Sequence, residues 1–178
     1  MNSVLSPQRI PARILAVILL LFGTIGVTEA QDQKIVRSPE FSLMDQYETR
    51  HDLKFPRDKV TVLVVADQKG SKQLEGWIQP IYRRYQKKID ISGVADLGNV
   101  PKRLQNFVRS SFRKQSDYPI LLDWTGEVSA SFKYASSKAN LYLIDQQGNI
   151  LLHFIGPATR ELQDILFKEI DGRLTGSE

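Results

Sequence analysis

The 178-residue chain has no cysteine and only two histidines, His51 and His153. Without a thiol there can be no disulfide, no thiolate nucleophile, no Cys-x-x-Cys redox pair and no zinc–thiolate site. Two histidines far apart in sequence do not suggest an all-histidine metal site. Walker and dinucleotide-binding glycine fingerprints are absent as well, and no residue pattern calls for a cofactor. Charge of either sign is not extreme. The net charge of +4 is mildly basic, short of the footprint of a dedicated nucleic-acid binder. What remains, 42% hydrophobic and 25% charged residues, is the composition of an ordinary globular chain.

The first thirty residues read as a targeting segment. Residues 1–13 carry Arg9 and Arg13 and no acid, Ile14–Val27 is an apolar run, and Thr28-Glu29-Ala30 precedes a polar stretch. That order is the one a secretory signal peptide shows, with cleavage after Ala30. The run is shorter than the roughly 20 residues a spanning helix needs. A cleaved, periplasmic or secreted product is therefore expected, with an uncleaved inner-membrane anchor as the alternative. Residues 31–40 read as a linker, 41–174 as one domain and 175–178 as a polar tail. An exported domain that uses no disulfide must hold itself together by packing alone.

The domain alternates between strand and helix signals. Phe41–Asp45 and Leu53 suggest an entry segment with a short edge strand. Val60–Ala66 is a continuous β-branched and apolar run, the mark of a strand covered on both faces. After the polar turn Asp67–Ser71, residues Leu74, Trp77, Ile78, Ile81, Tyr82 and Tyr85 recur at helical spacing. Pro80 falls inside that helix and frees the carbonyl of Gly76, four residues back. Ile89–Val94 is a second strand. A helix beginning near Pro101 carries Leu104, Phe107, Val108 and Phe112 as its apolar face. Pro119–Asp123 is a third strand. Residues 140–145 and 150–155 flank Gln-Gln-Gly-Asn as a hairpin. Thr159 caps a last helix, and Gly172 onward reads as tail. The plan is three-layer α/β/α around a central mixed sheet.

Three of these pieces, in this order, resemble the thioredoxin superfamily. They are the apolar strand, turn and proline-bearing helix; Tyr118-Pro-Ile-Leu-Leu-Asp-Trp-Thr-Gly-Glu-Val; and Asn140-Leu-Tyr-Leu-Ile-Asp-Gln-Gln-Gly-Asn-Ile. The second is similar to a peroxiredoxin phrase, and the third to the hairpin of redoxins of the alkyl hydroperoxide reductase and TlpA kinds. The resemblance implies a thioredoxin-like fold whose catalytic thiols stand at the mouth of the first helix. Counted back from Pro80, those positions are Lys72 and Glu75; counted forward from the strand, they lie near Lys69. Neither count meets sulfur. The cis-proline expected before the Leu141 strand is also missing, where the chain reads Ser-Ser-Lys-Ala-Asn. A narrower likeness is to cysteine-less, exported redoxin-like proteins of Gram-negative bacteria, carried by Lys69-Gly-Ser71 and Phe107-Val-Arg-Ser-Ser111.

The candidate site is accordingly a binding loop. Asp67, Gln68, Lys69, Gly70, Ser71 and Lys72 join a strand end to a helix start, where backbone N–H groups can hold an anion or a partner's carboxylate. The plain alternative is a polar turn with Ser71 as helix cap. Asn140 would face this loop across the groove in which redoxins hold extended chains. Trp124, in a turn, is either a recognition aromatic or packing; Trp77, on the apolar stripe, reads as core. Asp123 and Asp145 end strands and could meet as paired carboxylates, although such aspartates are usually turn formers. His153 falls on the polar face of its strand. The expected partner is a protein or peptide in the cell envelope, not nucleic acid. The basic helix faces read as solvated surface, with weak contact to an anionic membrane as the alternative. Two other functions stay open: a thiol-redox role of the family's kind, and a basic peripheral envelope protein.

Overall fold

A computed structural model describes residues 36–175. The expected signal segment, the first half of the expected linker and the last three residues lie outside these. Twelve elements follow in order: β1 (Val36–Arg37), β2 (Phe41–Met44), β3 (Arg50–Leu53), β4 (Thr61–Ala66), α1 (Glu75–Tyr85), β5 (Asp90–Asp96), α2 (Gln105–Gln115), β6 (Leu121–Asp123), α3 (Glu127–Ser131), β7 (Asn140–Ile144), β8 (Asn149–Ile155) and α4 (Arg160–Thr175). Six strands form one mixed sheet in the order β1-β8-β7-β4-β5-β6, while β2 and β3 pair only with each other. Strands β4, β5 and β6 are parallel, and β7 runs antiparallel to β4. Among the described residues no helix is long and apolar enough to cross a membrane.

The apolar run of β4 became the centre of the sheet because every residue in it is buried. Its side chains alternate between two cores, as a strand's period of two requires. Val62 and Val64 join Leu141 and Leu143 of β7 beneath Trp77, Ile81 and Tyr85 of α1 and Leu166 and Ile170 of α4. Leu63 and Val65 join Tyr142 and Ile144 on the other face, under Leu53, Leu121 and Phe132. That second face is covered by the β2–β3 hairpin and by α3 with the residues after it. The sequence suggested a single edge strand at 41–53. The segment folds instead into a hairpin lying on the sheet, in register from Phe41↔Leu53 to Met44↔Arg50.

Both chain ends extend the domain beyond its expected limits. Part of the 31–40 linker is strand, since β1 pairs Val36 with Ile150 and Arg37 with Asn149. The outer edge of β8 otherwise leaves those backbone groups unmatched. At the other end α4 runs straight through Gly172 to Thr175. One glycine costs a helix only about 1 kcal/mol, and buried Leu166 and Ile170 anchor the turns before it. Thr159 caps this helix as expected, accepting the Leu162 amide on its hydroxyl. The β7–β8 hairpin turns at Gly148, whose φ of +90° suits glycine. A Cβ there would also stand 2.7 Å from the Phe55 ring.

Helix α1 passes through Pro80 without a break. The carbonyl of Gly76 does not stay unmatched, because the side-chain amide of Gln163 in α4 donates to it at 2.6 Å. Trp77 is core, as its place on the apolar stripe indicated. It is 1% exposed, stacks on Phe154 and donates its indole N–H to the Gly156 carbonyl. Replacing Pro80 by Ala restores the helical N–H and releases Gln163. Stability should therefore change by only about 1 kcal/mol in either direction, as read by urea denaturation. A loss of several kcal/mol would mean that the proline, and not the helix around it, holds α1 in place.

Candidate functional site

The parallel strands end together, and their C-terminal ends define the site. Asp67 follows β4, Asp96 closes β5 and Asp123 closes β6; the register places Asp96 directly beside Asp123. Because β7 runs the other way, its first residue Asn140 lies at the same end, opposite Val65. Asp145 follows Ile144, which pairs with Thr61 at the far end of β4. Asp123 and Asp145 therefore lie at opposite ends of the sheet and form no carboxylate pair, in keeping with the turn-former reading. Each is a turn former. Asp145 accepts the amides of Gln147 and Asn149. Asp123 accepts the Gly126 and Ser129 amides and the Ser129 hydroxyl.

Asp67 is the hub of the candidate loop. One carboxylate oxygen accepts the backbone amides of Lys69 at 3.0 Å and Gly70 at 2.8 Å. The other accepts the amide of Ser137, seventy residues away, at 2.7 Å. Burial opposes ionisation here. The hydrogen bonds from Gly70, Ser137 and Lys69 outweigh it, and the carboxyl is held below its ordinary value. The opposing segment closes on the loop. Gln73 accepts the Ala139 amide, and buried Asn140 ties its side chain to Ala135 and Lys138. Gly70 lies so close that a Cβ on it would stand 2.3 Å from the Lys138 carbonyl oxygen.

Two expectations for this loop change as a result. The amides of Lys69 and Gly70, expected to be available for an anion, already bind a carboxylate of the chain itself. Ser71 does not cap α1 either. A 3-10 turn over Gly70–Gln73 comes first, α1 starts at Glu75, and the Ser71 hydroxyl donates to the Gln68 carbonyl. What the loop presents outward is Gln68, Lys69, Ser71 and Lys72, all exposed.

The structure thus brings Asp67–Lys72 and Asn140 together through residues 135–139, and leaves Trp124 apart. Trp124 is half-buried beyond β6, two strands away, with the Arg109 guanidinium 5.8 Å from its ring centre. His153 sits cross-strand from Tyr142 and stacks on its ring at 4.1 Å between centres. One face of the imidazole is covered, and its Nε2 lies 3.3 Å from the Asn140 oxygen. Desolvation lowers its pKa.

Sequence reasoning missed Tyr134 and Asp96. The Tyr134 hydroxyl donates to the Asp96 carboxylate. Its own ionisation is pushed far up, by burial first and then by Asp96, with Asp67 and Asp123 adding to it. This hydroxyl is a fixed donor between strand-ending carboxylates and not a base. Asp96 could have been found by the same strand-end pattern that marked Asp123. Tyr134 lies in irregular chain without a signal. Among the described residues no group of three His, Cys, Asp or Glu is arranged to hold a metal ion.

A pH dependence follows from Asp67. Its folded pKa is lowered, so its contribution to stability is complete above the unfolded value near 4 and is lost as pH falls through the folded one. Asp67→Asn should flatten the fall in urea midpoint below about pH 4. An acid limb as steep as that of the unchanged protein would place the effect elsewhere.

No protein-family model matches the chain, and no curated protein matches it. Solved structures do. A DsbE-type thiol:disulfide interchange protein from Chlorobium tepidum superposes with a TM-score of 0.62 at 17% identity, over 79% of this chain and 96% of that one. The exposed lipoprotein thioredoxin Etrx1 of Streptococcus pneumoniae gives 0.57 at 19%, over 73% and 97%. The thioredoxin domain of a thiol-disulfide oxidoreductase from Bacteroides vulgatus gives 0.56 at 15%, over 76% and 96%. Nearly the whole of each neighbour is matched by a chain that contains no sulfur nucleophile. With its mixed sheet, flanking helices and proline-bearing first helix, the chain has the fold of the thioredoxin-like superfamily.

Proposed function

We propose that this chain is an exported thioredoxin-like domain that binds a protein or peptide partner in the cell envelope and carries out no thiol redox chemistry. One observation supports this above the others. The loop at the mouth of α1 is tied down by Asp67 and the 135–140 segment, and it shows the solvent only polar and cationic side chains. Thiol–disulfide exchange proceeds through a thiolate and a mixed disulfide, and this chain supplies neither. A loop held in one conformation gives a binding surface with little ordering cost. Export is supported by the N-terminal sequence pattern and by neighbours named as an interchange protein and an exposed lipoprotein.

The test is capture of envelope proteins by the immobilised chain, compared with Lys69→Glu/Lys72→Glu. Both lysines are exposed, so their reversal leaves the Asp67 bonds in place. The expected result is a discrete set of partners lost in the variant. Retention of the same partners would exclude this loop as the contact, and capture of nothing above a blank support would overturn the binding role.

A further inference from the structure

Helix α2 contradicts the expectation that Leu104, Phe107, Val108 and Phe112 form one inward face. None of its residues is fully buried, and it contributes to neither core. Its inner side is set by Arg109, paired with Glu48 and laid over Trp124, and by Arg113, which donates to the Gln46 carbonyl. The apolar arc is too wide for one contact. Val108 and Phe112 stay half-buried, whereas Phe107 is turned outward and is 72% exposed, with Leu104 beside it at 44%.

The outward face has a definite chemistry. Phe107, Ser110 and Lys114 follow one another at helical spacing, Arg103 precedes them in the 3-10 turn Lys102–Leu104 that leads into α2, and all four are exposed. Residues 97–116 hold five basic side chains and no acid. Lys102, Arg103 and Lys114 form no ion pair among the described residues, unlike Arg109 and Arg113, which share Glu48. A bare aromatic ring thus stands between cations that have no ion pair. It suits an interface that is apolar within and negatively charged at its surface.

We infer that α2 and the turn leading into it form a membrane-contacting face: Phe107 and Leu104 enter the headgroup region of an anionic bilayer while Arg103, Lys102 and Lys114 neutralise lipid phosphates. This goes beyond the partner-binding loop and does not depend on it. The face is one helix long with one large ring at its centre, so attachment is reversible and salt-sensitive.

The absence of cysteine makes the test site-specific. Ser110→Cys introduces a single thiol on this face of the full chain, for an environment-sensitive fluorophore. Asp58→Cys, on an exposed loop, serves as the control. With phosphatidylcholine vesicles containing one-third phosphatidylglycerol, the label at residue 110 should shift to the blue and gain severalfold in intensity. The label at residue 58 should not respond. Arg103→Gln/Lys114→Gln, which leaves the cores untouched, should weaken the response on the order of tenfold, and Phe107→Ser should weaken it severalfold. No shift, an equal shift with pure phosphatidylcholine, or indifference to these substitutions overturns the inference. A label already blue-shifted in buffer that reverts on dilution would place α2 against a second copy of the chain and overturn it equally.

Discussion

Replacing Gln46 by Ala should lower the stability of the domain by about 2–3 kcal/mol, the cost of one unmatched buried amide and two weakened carbonyl contacts. Gln46 is 0% exposed and polar. Its amide nitrogen donates to the carbonyls of Ser116 and Tyr118, and its oxygen accepts the Ile120 amide at 2.7 Å. Three backbone groups of the α2–β6 connection thus meet one side chain from the β2–β3 turn, which is the partner of the Ile120 amide. Alanine leaves the Ile120 amide without its partner, at about 1–3 kcal/mol, while the two carbonyls keep the Tyr47 and Ser116 hydroxyls. Asp45 next to it bridges to Leu121, so the same point pins the hairpin to the sheet. Chemical denaturation reads the loss directly. A change below about 1 kcal/mol would mean that solvent substitutes for the amide. Gln46→Glu should not rescue, because a carboxylate there faces two carbonyl oxygens.

Nothing in the sequence pointed to Gln46. Periodicity identifies residues that pack by repetition, and so β4, α1, α4 and the β7–β8 hairpin were legible from apolar spacing, Pro80, Thr159 and Gly148. A lone polar residue buried by a contact seventy positions away has no local signature. The same limit explains α2. Its sequence shows an apolar arc containing both Phe107 and Phe112, but which part of the arc meets the domain is decided by Glu48 and Trp124, and these come from other segments. In the candidate site the strand-end position of Asp67 was readable. Its grip on Ser137 was not, because that depends on β7 lying antiparallel beside β4.

Gly70→Ala should be the most disruptive single change in the candidate loop, costing about 3 kcal/mol or more. The added Cβ would stand 2.3 Å from the Lys138 oxygen and 3.2 Å from the Ala139 nitrogen. Both are backbone atoms, which no rotamer change can move aside. Either the loop lifts from the 135–140 segment or that segment retreats. Either movement stretches the bonds from Asp67 to Ser137 and from Gln73 to Ala139. Faster hydrogen exchange at the amides of Ser137 and Ala139 should accompany the loss of stability. Exchange unchanged from the parent would show that the two segments are not locked together. Ser71→Ala, one residue on, should be nearly neutral, because the exposed Ser71 hydroxyl bonds only a neighbouring carbonyl.

We propose that a thioredoxin-like fold here serves binding without thiol chemistry, with Asp67 and its hydrogen bonds at the mouth of α1. The measurement that bears on it most directly is the rate at which the purified protein reduces insulin disulfides and hydrogen peroxide in the presence of excess dithiothreitol. The expected rate equals that of dithiothreitol alone and is unchanged by Lys69→Glu/Lys72→Glu. A reproducible, protein-dependent rate in either assay, lost on substitution within residues 67–72, would contradict it.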